Sequence, residues 1–182
     1  MQDKELIEKI LNGQEDLFSL IIDKYKNKVF SIIYSFCGHT SDCEDIAQNV
    51  FIKIFKALPK FKFESEFSTW MYRIVINEAI TISKKRKQNV VPLDINNSDD
   101  EEKSNLIDFL KSNDNTEKEL MQKETQKMVQ EALGKLKDKY KTVLTLRDIE
   151  DFSYEEIAKM MNASVENVKI STAKALLTAA DT

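Results

Sequence analysis

Apolar side chains recur at Leu17, Ile21, Tyr25, Val29, Ile32, Ile33 and Phe36, every three or four residues from Glu15 to about Phe36. That spacing predicts one long helix with a single buried stripe. Before it, Asp3 to Leu11 is a short amphipathic stretch closed by the turn pair Asn12-Gly13. After it, Gly38 stops the helix, and Ser41 or Asp42 is placed to cap the next. DCEDIAQNVFIKIFKAL, Asp42 to Leu58, then repeats the pattern with Ile46, Ala47, Val50, Phe51, Ile54, Phe55 and Leu58 on one face. Pro59 breaks it, and Lys60 to Phe67 reads as a loop rich in Phe, Ser and Glu. Ser68 or Thr69 is expected to cap a further helix. Its stripe is Trp70 or Met71, Ile74, Val75, Ala79 and Ile82, with Tyr72, Arg73, Asn77 and Thr81 lying off it.

The pattern lapses between residues 88 and 116, where Asn, Asp and Ser dominate and only Ser104 to Leu110 suggests a short helix. It resumes in four helical stretches. Thr116 to Leu133 directs Leu120, Met128, Val129 and Leu133 inward, and Asp138 to Ile149 carries Tyr140, Val143, Leu144 and Leu146. Ser153 to Met161 and Val165 to about Ala179 are separated only by Asn162-Ala163-Ser164, a joint short enough for a helix-turn-helix. Ser153 and Glu156 have capping-box spacing, Ala158 is small where helices must approach, and Asn162 tolerates a left-handed turn. Ser164 is placed to cap the second helix, and Ile157 and Val168 to pin the pair. Five such features in register favour helix-turn-helix over a plain bundle.

Three Gly and two Pro in 182 residues are too few for the turns of an all-β chain. The expected fold is all-α: two small helical domains, residues 1–87 and 117–182, joined by an acidic flexible linker over 88–116. No apolar run is long enough to span a bilayer, and the opening residues are charged, so a cytoplasmic protein is expected. Net charge is −4, which at first argues against nucleic acid. The distribution removes that objection. Residues 1–87 carry 14 basic against 12 acidic side chains, residues 88–119 carry 3 against 9, and residues 120–182 carry 10 of each. Phosphate binding depends on local patches more than on totals.

Candidate chemistry is sparse. Cys37, His39 and Cys43 cluster, but a structural zinc site needs a fourth ligand, so neither metal nor cofactor is expected. The single histidine has no nucleophile partner by motif and no Gly-rich loop cradles a nucleotide, which argues against an enzyme. Two stretches remain. The helix from Asp42 runs from an acidic polar half into Lys53, Lys56, Lys60 and Lys62; acids suit a helix N-terminus, and such a face also suits docking. FKFESEFSTWMYRIVINEAITISKKRK, Phe61 to Lys87, joins aromatic faces to hydroxyls and a cluster of four cations. Unpaired bases need π-faces beside cations, although a core helix with a solvated basic end has the same composition.

In this order the parts resemble a bacterial extracytoplasmic-function (ECF) sigma factor of the sigma-70 family, the dissociable subunit that gives RNA polymerase its promoter specificity. DCEDIAQNVFIKIFKAL is similar to region 2.2, FKFESEFSTWMYRIVINEAITISKKRK to regions 2.3 and 2.4, and SYEEIAKMMNASVENVK to region 4.2. The resemblance covers nearly the whole chain. It implies that residues 1–87 bind core polymerase and melt the minus-ten element, and that residues 117–182 read the minus-thirty-five element.

Carried onto matching positions, the resemblance implies that Asp45, Gln48, Asn49, Phe51, Ile52 and Phe55 grip the coiled coil of the polymerase largest subunit. The minus-ten element falls to Lys60, Lys62, Phe63, Ser65, Phe67, Thr69, Trp70, Arg73 and Asn77, with Lys84, Lys85, Arg86 and Lys87 on adjoining phosphates. One non-template base is expected to leave the stack for a loop pocket; stacking worth ~1–3 kcal/mol per base offsets that cost. Ser164, Glu166, Asn167, Lys169, Ile170, Ser171 and Lys174 face the minus-thirty-five major groove, where Asn reads adenine and Lys reads guanine or grips phosphate. The implied partners are core polymerase, promoter DNA and an anti-sigma factor, in many members anchored in the membrane.

One departure from the family pattern concerns the last helix. Family members usually continue it with several Arg or Lys, whereas this chain reads ALLTAADT after Lys174. Each lost phosphate contact flattens the salt dependence of binding by about 0.9 in logarithmic slope. Two rivals to the resemblance are a stand-alone helix-turn-helix regulator and a helical adaptor that binds only protein. Neither accounts for the aromatic loop and the basic helix end together.

Overall fold

Helix α2, Phe18–Cys37, carries the anticipated stripe: Ile21, Tyr25, Val29, Ile32, Ile33 and Phe36 are all buried. It belongs to a computed structural model that describes residues 2–37, 42–89, 128–129 and 131–180. The regular elements among these are helical throughout. Helix α1 spans Asp3–Leu11 and ends at the Asn12-Gly13 turn, where Gly13 adopts φ +97°. A 3-10 turn, Glu15–Leu17, leads into α2. Helix α3 is Asp42–Ala57, and the turn Leu58–Lys60 around Pro59 follows it. Helix α4 is Phe67–Asn89. The second half contains α5, Asp138–Leu144, running into a π-helical turn, Thr145–Ile149. Helices α6, Tyr154–Met161, and α7, Val165–Ala180, follow, and residues 128–129 and 131–135 before α5 are helical too.

In the first half, α4 lies along α2, and α3 packs against both. Ile54, Leu58, Met71 and Val75 are fully enclosed there, each contributing ~1.5–3 kcal/mol through removal from water. Two details of α4 depart from expectation. The helix starts at Phe67 rather than at a Ser68 or Thr69 cap, so both residues lie inside its first turn. Tyr72, expected off the stripe, is only 2% exposed. The cause is packing from two sides: α6 also contacts α4, and Tyr72 meets Tyr25 of α2 edge-on at 6.0 Å and Phe152, just before α6, edge-on at 5.0 Å. One cluster of buried side chains therefore runs from Ile7 in the first half to Val168 in the second.

The second half departs at Met128 and Val129, which are exposed instead of inward. Leu133 and Leu136 are the buried residues there, packed with Leu144 and Ala175. The apolar spacing fixed a stripe but not its phase relative to α7. The expected helix Ser104 to Leu110 and the caps at Gly38 and Ser41 lie outside the described residues, as does most of the acidic 88–116 segment.

The helix-turn-helix forms as its spacing dictates. Ser153 Oγ accepts from the Glu156 amide, and the Glu156 carboxylate accepts from the Ser153 amide, a reciprocal capping box. Asn162 takes the left-handed conformation at φ 50°, ψ 50°. Ser164 Oγ accepts from the Asn167 amide at 3.2 Å, and Ile157, Ala158 and Val168 are buried between the helices.

Candidate polymerase and DNA interfaces

The exposed side of α3 is organised by the same periodicity that buries its other side. Asp45, Gln48, Asn49 and Ile52 fall three or four residues apart and are all exposed, Ile52 at 49%. An exposed β-branched aliphatic ringed by short polar groups suits a protein contact. Phe51 is a correction: it is 6% exposed and belongs to the core, because the inward stripe Ala47, Val50, Phe51, Ile54 claims it. Phe55 is partly buried, edge-on to Phe18 at 5.0 Å. Lys53 pairs with Glu78 and ties α3 to α4 beside this face.

The loop between Lys60 and Phe67 is built on rings. Phe61 and Phe67 are buried, with the Phe61 ring tilted against Phe63 at 4.8 Å and against Trp70 at 5.2 Å. Phe63 is 39% exposed and holds φ at 58°, a left-handed backbone that an aromatic residue adopts only at a cost of ~1–2 kcal/mol. Its ring, packed on Phe61, lines a 790 Å³ cleft together with Ser65, Glu66, Asp3, Lys24 and Lys159. That volume admits a nucleobase. Asp3 accepts from both Lys24 and Tyr25, bracing one wall. Burial and the Asp3 contact together push the Tyr25 hydroxyl above its ordinary pKa, so it remains a donor.

Of the residues expected here, Lys60, Lys62, Phe63, Ser65, Asn77, Lys84 and Lys85 are exposed. Phe67 and Thr69 are buried and are corrected to supporting positions, since the first turn of α4 faces the core. Trp70 is partly buried, between Phe61 and Phe67. Arg73 is half-buried and donates from Nε to the Lys159 carbonyl at 2.9 Å. The side chains of Arg86 and Lys87 lie outside the described residues.

On α7, Glu166, Asn167, Ile170 and Lys174 share one exposed face, with Lys169 alongside over the Tyr154 ring at 5.8 Å. Ser164 is exposed at the helix start. Ser171 is a correction: at 2% exposure it belongs to the buried row Val168, Ser171, Thr172, Ala175, and its hydroxyl donates to the Asn167 carbonyl. That row was visible as a spacing of three and four, but its hydroxyls disguised it as polar. Beyond Lys174 the outward residues are Leu176 and Leu177, 52% and 68% exposed.

Comparison with known proteins decides the family. Residues 21–89 match the model of Sigma-70 region 2, and residues 126–178 match that of Sigma-70, region 4. The RNA polymerase sigma-H factor of Pseudomonas aeruginosa is 33% identical over 168 residues, covering 92% of this chain and 86% of that protein. The chain belongs to the sigma-70 family, among its ECF members. The ECF sigma factor SigW of Bacillus subtilis is 32% identical, with 93% of this chain and 90% of that one covered. The ECF sigma-E factor of Haemophilus influenzae is 31% identical over 93% of this chain and 88% of its own. Among solved structures, CnrH in complex with the cytosolic domain of CnrY superposes with a TM-score of 0.69 over 98% of this chain and 95% of that one, at 18% identity. The sigma factor RpoE in complex with the anti-sigma factor NepR from Bartonella quintana gives 0.60 over 90% of this chain and 94% of that one, also at 18%. These two show the shared fold.

The sigma factor is thus a promoter-specificity subunit of RNA polymerase, in a family of transcription initiation factors. Among the described residues no helix is long and apolar enough to cross a membrane.

Proposed function

We propose that this ECF sigma factor divides promoter recognition between its halves, residues 1–87 acting on the minus-ten element and residues 117–182 on the minus-thirty-five element. The observation that carries the reading is the loop at Phe63. A strained, outward aromatic beside a base-sized cleft, followed by a helix ending in cations, supplies a stacking face and phosphate contacts in one place. A regulator of duplex DNA needs the helix-turn-helix but not this loop, and a protein-binding adaptor needs neither.

In this reading Asp45, Gln48, Asn49 and Ile52 dock on the core polymerase. Phe63 and Trp70 receive an extruded non-template base, Arg73 and Asn77 contact the strand, and Lys84 and Lys85 hold adjoining phosphates. Glu166, Asn167, Ile170 and Lys174 face the minus-thirty-five groove. Catalysis belongs to the polymerase, and the protein works in the cytoplasm. Relatives of this fold have been captured with anti-sigma factors, and an inhibitor of that kind, free or membrane-tethered, is proposed for this chain. Run-off transcription with core polymerase tests the reading: promoter-dependent product supports it, and absence of both core binding and product across a genomic library sinks it.

A further inference from the structure

Helix α1 brings a carboxylate to the aromatic cleft, and the division of roles above gives it nothing to do. Leu6, Ile7 and Ile10 bury one side of α1 in the first-half core. Asp3 precedes Ile7 by four residues, which places it at the head of that buried side. An acid in the first turn suits the helix dipole, but the dipole does not choose the side on which the acid sits. Here one carboxylate oxygen accepts from Lys24 and the other from the Tyr25 hydroxyl, leaving the side chain 21% exposed. Helix α1 also touches the turn Leu58–Lys60, so the helix that carries Asp3 is fixed against the start of the aromatic loop.

The cleft is mixed in charge: Asp3, Glu64 and Glu66 are matched by Lys4, Lys24 and Lys159. A phosphate favours a basic wall, whereas a balanced wall beside aromatic rings suits an uncharged heterocycle. Glu64 and Glu66 stand exposed on the loop, while two donors hold Asp3 in place. A held acceptor discriminates between ligands better than one that swings away. Each oxygen of Asp3 keeps a second lone pair beyond its bond to Lys24 or Tyr25, so the carboxylate still accepts.

Resting on the reading of the Phe63 cleft as the seat of the extruded base, we propose that Asp3 is a specificity-determining residue. It accepts from the exocyclic amine of cytosine or adenine and disfavours thymine. A base outside the duplex offers its pairing edge. There cytosine and adenine carry an amine, a donor, where thymine carries O4, an acceptor. An ionised carboxylate only accepts, so thymine sets two acceptors against each other. Cytosine and thymine share one ring size, so fit to the cleft does not separate them and the Asp3 contact does.

Holoenzyme made from core polymerase and the full chain tests this on a promoter that it opens. Cytosine, adenine and thymine are placed in turn at each non-template minus-ten position, and stopped-flow kinetics read opening. At one position the parent should open about 5-fold or more faster with cytosine or adenine than with thymine. Asp3→Asn, whose amide also donates, should erase or reverse that ratio there and leave the ratios elsewhere unchanged. Ratios are taken within each variant, so a loss of folded protein cancels. Tyr25→Phe removes one of the two donors but keeps the carboxylate, and should keep the order of bases. Ratios that Asp3→Asn leaves unchanged at every position, or a parent that prefers thymine where Asp3→Asn acts, would overturn the proposal. Reversal by Tyr25→Phe would overturn it too. Absence of promoter-dependent opening by the parent sinks the sigma-factor reading and this inference with it, whereas opening with unchanged ratios overturns the inference alone.

Discussion

Arg73 of α4 donates to the backbone carbonyl of Lys159 in the last turn of α6, joining a residue proposed for DNA to the first helix of the helix-turn-helix. In the free protein Arg73 holds this bond; in the proposed function it contacts the DNA strand. Arg73→Ala should destabilise the free protein by about 1 kcal/mol, the usual worth of a hydrogen bond from a charged donor at a half-exposed site. In holoenzyme it should slow promoter opening about 10-fold. Arg73→Lys retains the charge without the fork, and should recover less than half of the loss. Chemical denaturation and permanganate footprinting measure the two effects.

Phe63 separates stability from function. In Phe63→Gly, relief of the left-handed backbone offsets loss of the Phe61 ring contact, ~1–2 kcal/mol against ~0.5–1.5 kcal/mol. Folding free energy should therefore move by less than about 1 kcal/mol. Promoter opening, which loses a stacking face worth ~1–3 kcal/mol, should fall roughly 5- to 150-fold. Equilibrium unfolding with stopped-flow opening kinetics checks both.

The face of α3 proposed for polymerase makes the same kind of test possible. Ile52 is half out of the core, so Ile52→Glu should change stability by no more than about 0.5 kcal/mol. Core affinity should drop at least about 10-fold in a binding titration. Phe51→Ala is its counterpart: a core truncation costing about 3–5 kcal/mol and lowering the unfolding midpoint.

Much of this was legible in the sequence, and the failures share a cause. Helices α1 to α4 and the helix-turn-helix follow from apolar periodicity, Gly13, Pro59, Asn162 and the Ser153-Glu156 spacing, all local signals. Tyr72, Thr69 and Ser171 were misplaced because each is polar or amphipathic yet buried by a partner element distant in sequence. Phe51 was read as a site residue although its stripe already assigned it inward, and Phe67 was read as loop although it opens α4 facing the core. The contacts from Arg73 to Lys159 and from Lys28 to Glu150 leave no periodic trace. They depend on how two helical units meet, which no window of the sequence encodes.

Two carboxylates give opposite pH signatures. Burial raises the Glu150 pKa above its ordinary value of 4.5, with the Ser31 hydroxyl and Lys28 opposing the shift. The folded chain thus holds this proton longer than the unfolded one, and stability falls as pH rises from about 4.5 through the raised value. Glu150→Gln should melt higher than the parent at neutral pH, with the gap closing toward pH 4.5. Hydrogen bonds from the Ser153 backbone and hydroxyl lower the Glu156 pKa. Its contribution is present above the ordinary carboxylate range and is lost as pH falls through the lowered value. Ser153→Ala should cost about 0.5–2 kcal/mol, and thermal unfolding across pH resolves both residues.

The most direct test of the account is transcription by core polymerase reconstituted with this chain on a genomic promoter library, read by start-site sequencing. It predicts start sites that share two sequence elements about one spacer apart, lost with Ile52→Glu and weakened with Phe63→Gly. Start sites identical to those of core polymerase alone, with the purified chain failing to bind core, would contradict it.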